Sequence, residues 1–232
     1  MRKILCTVWV LFVASGVCRA DGEMDMNQEA VKRSYSVGFQ VGGDFRRQGL
    51  DINPEVLLEG IQDALSGAQP VMSEPEMRQT LVELQKRVET LEQEKRVALA
   101  RKNGADGKAF LDENAAKEGI KTLPSGLQYR VITEGEGKRP GPEDTVTVHY
   151  RGTLIDGKEF DSSYKRNQQA TFKLNQVIRG WTEGLQLMRP GAKYRFFIPP
   201  HLAYGEKGAG SKIPPNSTLI FEVELISVES AQ

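Results

Sequence analysis

Histidine and cysteine, which often serve as general bases, nucleophiles and zinc ligands, are scarce in this sequence. The two histidines are His149 and His201, and both cysteines, Cys6 and Cys18, lie near the start of the chain. Because a zinc site needs a cluster of such ligands, we predict neither a metal nor a cofactor. A serine hydrolase is also disfavoured, since the chain contains no Gly-x-Ser-x-Gly nucleophile motif.

The glycine-rich stretch at residues 205–212 has the composition of a phosphate-binding loop but not its order. It ends in Ser211-Lys212, whereas such a loop has lysine before serine, and it continues into Ile213-Pro214-Pro215 instead of a helix. We therefore interpret it as a flexible loop. With 31 acidic and 31 basic residues, the chain also lacks the basic excess typical of nucleic-acid-binding proteins.

The remaining candidates are aromatic and aliphatic residues with few polar atoms. They are Tyr150, Phe160, Asp161, Val177, Ile178, Trp181, Tyr204, Ile213 and Phe221. An aromatic pocket suits a reaction that needs no nucleophile, and rotation about an X-Pro peptide bond is one. That rotation has a barrier of about 18 to 20 kcal/mol. Removing the amide from water, and hydrogen-bonding it only when it is twisted, would favour the transition state.

Trp181 lies in a short segment that interrupts an otherwise strand-like half of the chain. The apolar residues of this segment recur at three- and four-residue spacing, which predicts one face of a short helix. They are Ile178, Trp181, Leu185 and Met188, and Pro190-Gly191 ends the pattern. The tryptophan could form the floor of a cavity or be an ordinary core residue. This pattern alone leaves both interpretations open.

Five runs rich in Val, Ile, Thr and aromatic residues predict an antiparallel sheet around this helix. They span residues 127–133, 145–154, 171–174, 193–198 and 218–228. Side chains alternate between the two faces of a strand. Tyr150 should therefore point to the core with Val148, and His149 should point outward. In the last run the residues that share a face are Leu219, Phe221, Val223 and Leu225. The predicted fold class is α+β.

Two helices are predicted in the first part of the chain. In residues 27–48, Gly38 and Gly42 share a helical face with Tyr35 and Phe45. Because glycine lowers helix propensity, we interpret this face as one that approaches another helix closely, with a frayed segment as the alternative. The second helix begins at Asn53-Pro54 and ends at residues 66–67.

A third, long helix should begin at Ser73, which is followed by Pro75 and acidic residues. Its apolar stripe over residues 77–98 is narrow, so it can bury a seam but not a core, and we expect a connecting helix that stands largely in water. Asn103-Gly104 and Gly107 predict a kink or hinge before a helical continuation over residues 109–117. An uninterrupted helix is the alternative.

The first twenty residues have the features of a secretory signal. Arg2-Lys3 precedes an apolar run over residues 4–17, and Ala20 precedes an acidic segment. We expect cleavage after Ala20 and export to the periplasm or outer membrane surface of a Gram-negative bacterium. A lipoprotein anchored at Cys18 and a eukaryotic secretory protein are weaker alternatives. No other stretch is apolar enough to span a membrane.

Five motifs follow one another in the second half of the chain: residues 146–160, Phe160-Asp161-Ser162-Ser163, Val177-Ile178-Arg179-Gly180-Trp181, Leu202-Ala203-Tyr204-Gly205 and residues 213–221. Together they resemble the macrolide-binding immunophilins, the FKBP-type peptidyl-prolyl isomerases. The resemblance covers residues 120–228. The N-terminal half, with residues 51–55 and 65–68, is similar to the secreted bacterial branch typified by the macrophage infectivity potentiator. Proteins of that branch are dimers joined through N-terminal helices.

The resemblance implies a role for each candidate. The residues that would line a proline pocket are Tyr150, Phe160, Val177, Ile178, Trp181 and Phe221, with Trp181 at its floor. Asp161 and Tyr204 would supply polar contacts and Ile178 a backbone N–H; alternatively, Asp161 caps a turn. A flap would carry Ala209, Lys212 and Ile213. Ala209 stands where the family often has histidine and Lys212 where isoleucine is common, so macrolide affinity is open.

We therefore expect four segments: a signal peptide at 1–20, a helical dimerisation domain at 21–72, a connecting helix at 73–119 and an isomerase domain at 120–232. The expected function is isomerisation of X-Pro bonds during the folding of exported proteins. The expected partners are unfolded polypeptides that contain X-Pro bonds, possible macrolide inhibitors and a second copy of the chain. The alternative is a chaperone that binds peptides without isomerising them.

Overall fold

The computed structural model describes residues 27–231. The predicted signal sequence and its cleavage point lie outside the described residues. The helices are α1 (Glu29–Gln48), α2 (Pro54–Ser66), α3 (Glu74–Ala115) and α4 (Arg179–Leu185). The strands are β1 (Ile120–Thr122), β2 (Gln128–Thr133), β3 (Thr145–Leu154), β4 (Glu159–Ser162), β5 (Ala170–Lys173), β6 (Lys193–Ile198) and β7 (Leu219–Glu229).

The seven strands form one antiparallel sheet in the order β1-β2-β6-β7-β3-β4, with β5 also paired to β3. Strands β3 and β6 begin and end where the sequence predicts. The short strands β1 and β4 were not predicted, because three or four residues show no measurable alternation. The α+β fold class is confirmed.

The core lies between one face of this sheet and helix α4. Val148 and Tyr150 of β3 are buried, as predicted, whereas His149 is only partly buried. Trp181 and Leu185 of α4 pack on the same face. The helix comes close because it carries glycine where it meets β6: a Cβ at Gly184 would lie 2.7 Å from the Phe196 ring.

The chain divides into two compact units, one up to Val71 and one over Met72–Gln232. The first unit contains α1 and α2, and neither helix has a buried residue. Helix α2 begins where predicted, because the Asn53 side chain accepts hydrogen bonds from the N–H groups of Glu55 and Val56. Over residues 27–231, no helix is both long and apolar enough to cross a membrane.

Helix α3 belongs to the second unit and is continuous over its 42 residues. Ser73 and Glu76 form a capping box at its start. No break occurs near Gly104 and Gly107, so the alternative of an uninterrupted helix is the one that the structure shows. Gly107 is buried, and a side chain there would collide with Thr218, so this glycine allows close packing of the helix instead of breaking it. The continuation ends at Ala115, earlier than predicted.

Candidate active site

A cavity of about 890 Å³ opens between α4, β3, β4 and the loop that precedes β7. All eleven residues predicted for the pocket and its flap line it: Tyr150, Phe160, Asp161, Val177, Ile178, Trp181, Tyr204, Ala209, Lys212, Ile213 and Phe221. The volume falls within the usual range for small-ligand sites, about 300 to 1,000 Å³. The fold thus brings together residues that are spread over more than seventy positions of the sequence.

Trp181 is 4% exposed and lies among three other rings. It contacts Tyr150 at 5.2 Å, Phe172 at 5.5 Å and Phe221 at 5.1 Å between ring centroids, each nearly edge to face. Such arrangements are the preferred geometry for aromatic pairs. Trp181 is therefore both a core residue and part of the cavity wall, which joins the two interpretations that the sequence left open.

A glycine and a β-bulge shape the part of the cavity wall that contains Phe160 and Phe221. Gly152 of β3 pairs with Asp161 of β4, and the register then shifts so that Phe160 is an extra residue. A Cβ at Gly152 would lie 2.6 Å from the Phe160 ring and 2.8 Å from the Phe221 ring. The two rings can meet there, at 5.4 Å between centroids, because position 152 carries no side chain.

Asp161, Tyr150 and Arg166 form a hydrogen-bonded triangle at the edge of the cavity. The Tyr150 hydroxyl and the Arg166 guanidinium both donate to the Asp161 carboxylate. Arg166 also donates to the Tyr150 hydroxyl at 2.9 Å and lies over the Tyr150 ring, 5.7 Å from its centroid. The Ser162 N–H donates to the same carboxylate at 2.8 Å. The carboxylate is therefore held in one orientation.

These contacts shift two pKa values away from neutral pH. Desolvation, the largest single influence on Asp161, would raise the pKa of its carboxyl group, but the hydrogen bonds from Tyr150 and Arg166, together with the arginine charge, outweigh it and lower that pKa. For Tyr150, desolvation and the hydrogen bond to Asp161 raise the pKa of the hydroxyl. Asp161 is therefore ionised and Tyr150 neutral near pH 7.

Three donors around the cavity have no acceptor within the described part of the chain. The Ile178 N–H makes no hydrogen bond there, although its carbonyl accepts from Trp181 and Thr182. The indole N–H of Trp181 is buried without a partner. The hydroxyl of Tyr204, a residue 41% exposed, is likewise unpaired over residues 27–231. The Ile178 N–H and the Tyr204 hydroxyl are therefore the donors that a bound carbonyl or imide nitrogen could use.

The cavity is closed on one side by residues 204–217, which we call the flap loop. Ala209 and Ile213 exchange two backbone hydrogen bonds, of 2.8 and 3.1 Å, and so form a small hairpin at its tip. From this tip the Lys212 ammonium group donates to the Phe160 carbonyl at 3.3 Å. That carbonyl belongs to the extra residue of the β4 bulge.

Arg166 and Phe172 contribute to the site but were not predicted from the sequence. Arg166 follows β4 in a turn with no periodic pattern, and only its contact with Asp161 in the folded chain reveals its importance. Phe172 lies in β5, which the sequence did predict, but its side chain is only partly buried. Within residues 27–231, no group of three His, Cys, Asp or Glu side chains is placed to hold a metal ion.

Comparison with known proteins decides the family. The model for FKBP-type peptidyl-prolyl cis-trans isomerase matches residues 136–226, and the model for the domain amino terminal to such isomerases matches residues 30–131. The chain is 45% identical over 231 residues to the outer membrane protein MIP of Legionella longbeachae, an alignment that covers 100% of this chain and 99% of that protein. The chain belongs to the FKBP-type peptidyl-prolyl cis-trans isomerases.

Two further similarities extend over both units of this FKBP-type isomerase. It is 47% identical over 204 residues to the peptidyl-prolyl cis-trans isomerase Mip of Coxiella burnetii, covering 88% of this chain and 89% of that one. The crystal structure of FkpA from Escherichia coli superposes with a TM-score of 0.74 at 40% identity, covering 88% of this chain and 99% of FkpA. The resemblance inferred from the motifs is confirmed.

Proposed function

We propose that the aromatic cavity is the catalytic site of this isomerase and that it acts through its environment alone. A proline ring would lie on Trp181, and the surrounding rings would remove the X-Pro imide from water. The Ile178 N–H and the Tyr204 hydroxyl would then donate hydrogen bonds to the imide as it twists. At that point the electron density on its nitrogen and oxygen differs most from that of the planar imide. Interactions that are stronger in the twisted state than in either planar state lower the barrier.

The observation that carries this proposal is the combination of unpaired donors with a cavity wall of aromatic rings. No histidine or cysteine lines the cavity among the described residues, and the one carboxylate there is already engaged by Tyr150 and Arg166. Rotation about an amide bond needs neither a nucleophile nor a proton transfer, so an aromatic wall with hydrogen-bond donors is sufficient for it. A gain of about 1.4 kcal/mol for each tenfold in rate is within reach of a few such interactions.

A protease-coupled assay on a short X-Pro peptide tests the proposal. We expect Tyr204→Phe to lower kcat/KM by about two- to tenfold, the effect of one hydrogen bond, and Asp161→Leu to lower it as well. Tyr164→Phe is the matched control, because Tyr164 lies outside the cavity and donates to Glu224 at 3.2 Å.

Unchanged kinetics in Tyr204→Phe and Asp161→Leu would refute the assignment of the site. A wild-type protein that slows aggregation of unfolded chains but leaves cis-trans kinetics unchanged would instead favour the chaperone alternative.

We also propose that the N-terminal helices join two copies of the chain. Helices α1 and α2 have no buried residue of their own, and Val37, Phe39 and Leu65 are 63%, 70% and 85% exposed. Two helices that expose this much apolar surface have no core of their own, and a second copy would cover it through a symmetric interface. The match of residues 30–131 to the domain amino terminal to FKBP-type isomerases, together with the resemblance to a branch that dimerises through N-terminal helices, supports the same arrangement.

The cell envelope is the compartment that fits the chain best. The supporting observations are the signal-like first twenty residues, the absence of cysteine after them and the similarity to a protein named for the outer membrane. Clients there would be exported polypeptides whose folding waits on X-Pro isomerisation. N-terminal sequencing of fractionated cells tests this: a chain that starts at Asp21 is expected, and an intact Met1 in the cytoplasm would contradict it.

A further inference from the structure

Polar side chains tie helix α3 to the base of the flap loop. The Asn103 side-chain N–H donates to the Pro215 carbonyl at 2.8 Å, and the Asn216 side chain returns a longer hydrogen bond, 3.4 Å, to the Ala100 carbonyl. Two turns earlier in α3, the Arg96 guanidinium lies 3.5 and 3.3 Å from the carbonyl oxygens of Glu206 and Lys207. Both ends of the flap loop, at residues 206–207 and 215–216, therefore form hydrogen bonds with the helix.

The flap loop transmits such a connection to the cavity because it is braced internally. The Asn216 N–H donates to the Gly205 carbonyl at 2.8 Å and closes the base of the loop directly beside Tyr204. At the tip, Ile213 and Ala209 are paired through their backbones. A displacement of Pro215 would thus be passed to Ile213, two residues away, and through Gly205 to Tyr204.

Asn103 makes the shortest of these contacts, and it is partly buried. The Pro215 carbonyl has no other donor within the described residues. One turn along the helix, Gly107 brings α3 into close contact with Thr218, just after the loop. The distance between helix and loop is thereby set by packing, and the amide of Asn103 sets the position of the loop along the helix.

We infer that Asn103 is a positioning residue for the substrate pocket, and that it acts through the flap loop without touching the substrate. This inference rests on the proposed function, since it concerns the same cavity. Without the hydrogen bond, the loop would spend part of its time away from the cavity. Substrate would then bind only to the remaining fraction, which raises the apparent KM by the inverse of that fraction. Once substrate is bound, the loop is in place and kcat stays the same.

The test compares Asn103→Asp and Asn103→Leu with Lys102→Leu in the full-length protein. Aspartate keeps the shape of the side chain but cannot donate when ionised, and leucine removes the polar group. Lys102 is the neighbouring residue on the helix, and its ammonium group forms an exposed ion pair with Asp106. We expect both Asn103 variants to raise KM by about two- to tenfold, the effect of one hydrogen bond, with kcat unchanged. Lys102→Leu should behave as the parent.

Amide hydrogen exchange provides a second readout that does not depend on activity. Exchange at residues 208–213 should become faster in the Asn103 variants, while exchange in β3 and β7 stays at the parental rate, because only the loop is released. Asn103→Gln, which keeps an amide donor, should restore part of the parental KM.

Two results would overturn the inference. One is a parental KM in folded Asn103→Asp and Asn103→Leu; the other is faster exchange throughout the sheet, which would indicate a purely structural role. The same experiment distinguishes this inference from the proposed function. A parent protein that does not accelerate isomerisation would refute the proposed function. An active parent with an unchanged KM in the Asn103 variants would refute only the role of Asn103.

Discussion

Asp161 owes its lowered pKa to the hydrogen bond from Tyr150 and to Arg166, a residue outside the motifs that identified the site. Its carboxylate is 41% exposed, and exposed ion pairs usually contribute little to stability. The Arg166 guanidinium matters more for the protonation and orientation of Asp161, because it donates to both the Asp161 carboxylate and the Tyr150 hydroxyl. The low pKa of Asp161 also means that its small contribution to stability is present above the unfolded-state pKa, about 3.9, and is lost as pH falls through the lower folded-state value.

Replacing Arg166 with methionine should raise the pKa of Asp161. The substitution removes a hydrogen bond and a positive charge that lower this pKa, while the opposing desolvation remains. A carbon-detected NMR titration of the aspartate carboxyl groups should show the Asp161 midpoint at higher pH in Arg166→Met. Lys165→Met is the matched control, because Lys165 pairs with Glu159 instead. An unmoved Asp161 midpoint in Arg166→Met would show that the triangle does not set its ionisation.

The core-facing residues of the cavity could be predicted from the sequence for a physical reason, whereas Ala209 and Lys212 came from the family resemblance. Aromatic and aliphatic side chains carry a periodic signal that places them on one face of a strand or helix, as for Tyr150 and Trp181. Polar partners such as Arg166, and the Lys212 contact with the Phe160 carbonyl, depend on loop conformations that have no period. Their positions emerge only from the folded chain.

Glycines allow the helices and strands around the site to pack closely. In α3 the sequence pattern instead indicated that the glycines would break the helix. A glycine in a helix costs about 1 kcal/mol relative to alanine, so Gly104 and Gly107 suggested a break in α3. The helix is continuous because its hydrogen bonds remain, and Gly107 allows α3 to touch Thr218. Strand β4 was not predicted for a different reason: its four residues gain their strand conformation from pairing with β3.

The pair Gly107→Ala and Gly104→Ala tests this explanation on one helix. A Cβ at position 107 would collide with the Thr218 side chain, whereas at position 104 the nearest atom, the Asn216 Cβ, would be 4.0 Å away. We expect Gly107→Ala to lower the free energy of unfolding by about 1 to 3 kcal/mol through overpacking. Gly104→Ala should leave it unchanged or raise it by up to about 1 kcal/mol. Urea denaturation measures both, and equal effects would contradict the explanation.

At the scale of the whole molecule, α3 belongs with the isomerase domain. Its later turns are joined to the sheet unit by the buried hydrogen bond from Asn114 to Gln128, 2.9 Å long, and by the contacts of Asn103 with the flap loop. The domain boundary predicted after residue 119 would cut through this packing. A truncation that removes α3 would therefore test the integrity of the pocket as well as the role of the N-terminal unit.

A chain of residues 72–232 is the better truncation, because this unit holds the complete buried core. We expect light scattering to show a dimer for the full-length protein and a monomer for the truncated one. Turnover of short peptides should be equal, since each pocket is intact. Refolding of a proline-limited protein should be slower with the monomer, because two linked pockets raise the effective concentration of a client bound at one. A monomeric full-length chain, or equal refolding, would count against the two-pocket mechanism.

The most direct test of catalysis by environment alone is the kcat/KM for a peptide without ionisable side chains, measured by NMR exchange in H₂O and D₂O. Asp161 titrates below its ordinary pKa and Tyr150 above its own, so neither changes charge from about pH 6 to 9. Because no proton is transferred in the proposed mechanism, we predict that kcat/KM is constant across this pH range and nearly equal in the two solvents. A bell-shaped profile, or a rate at least about twofold lower in D₂O, would instead indicate general acid-base catalysis and contradict it.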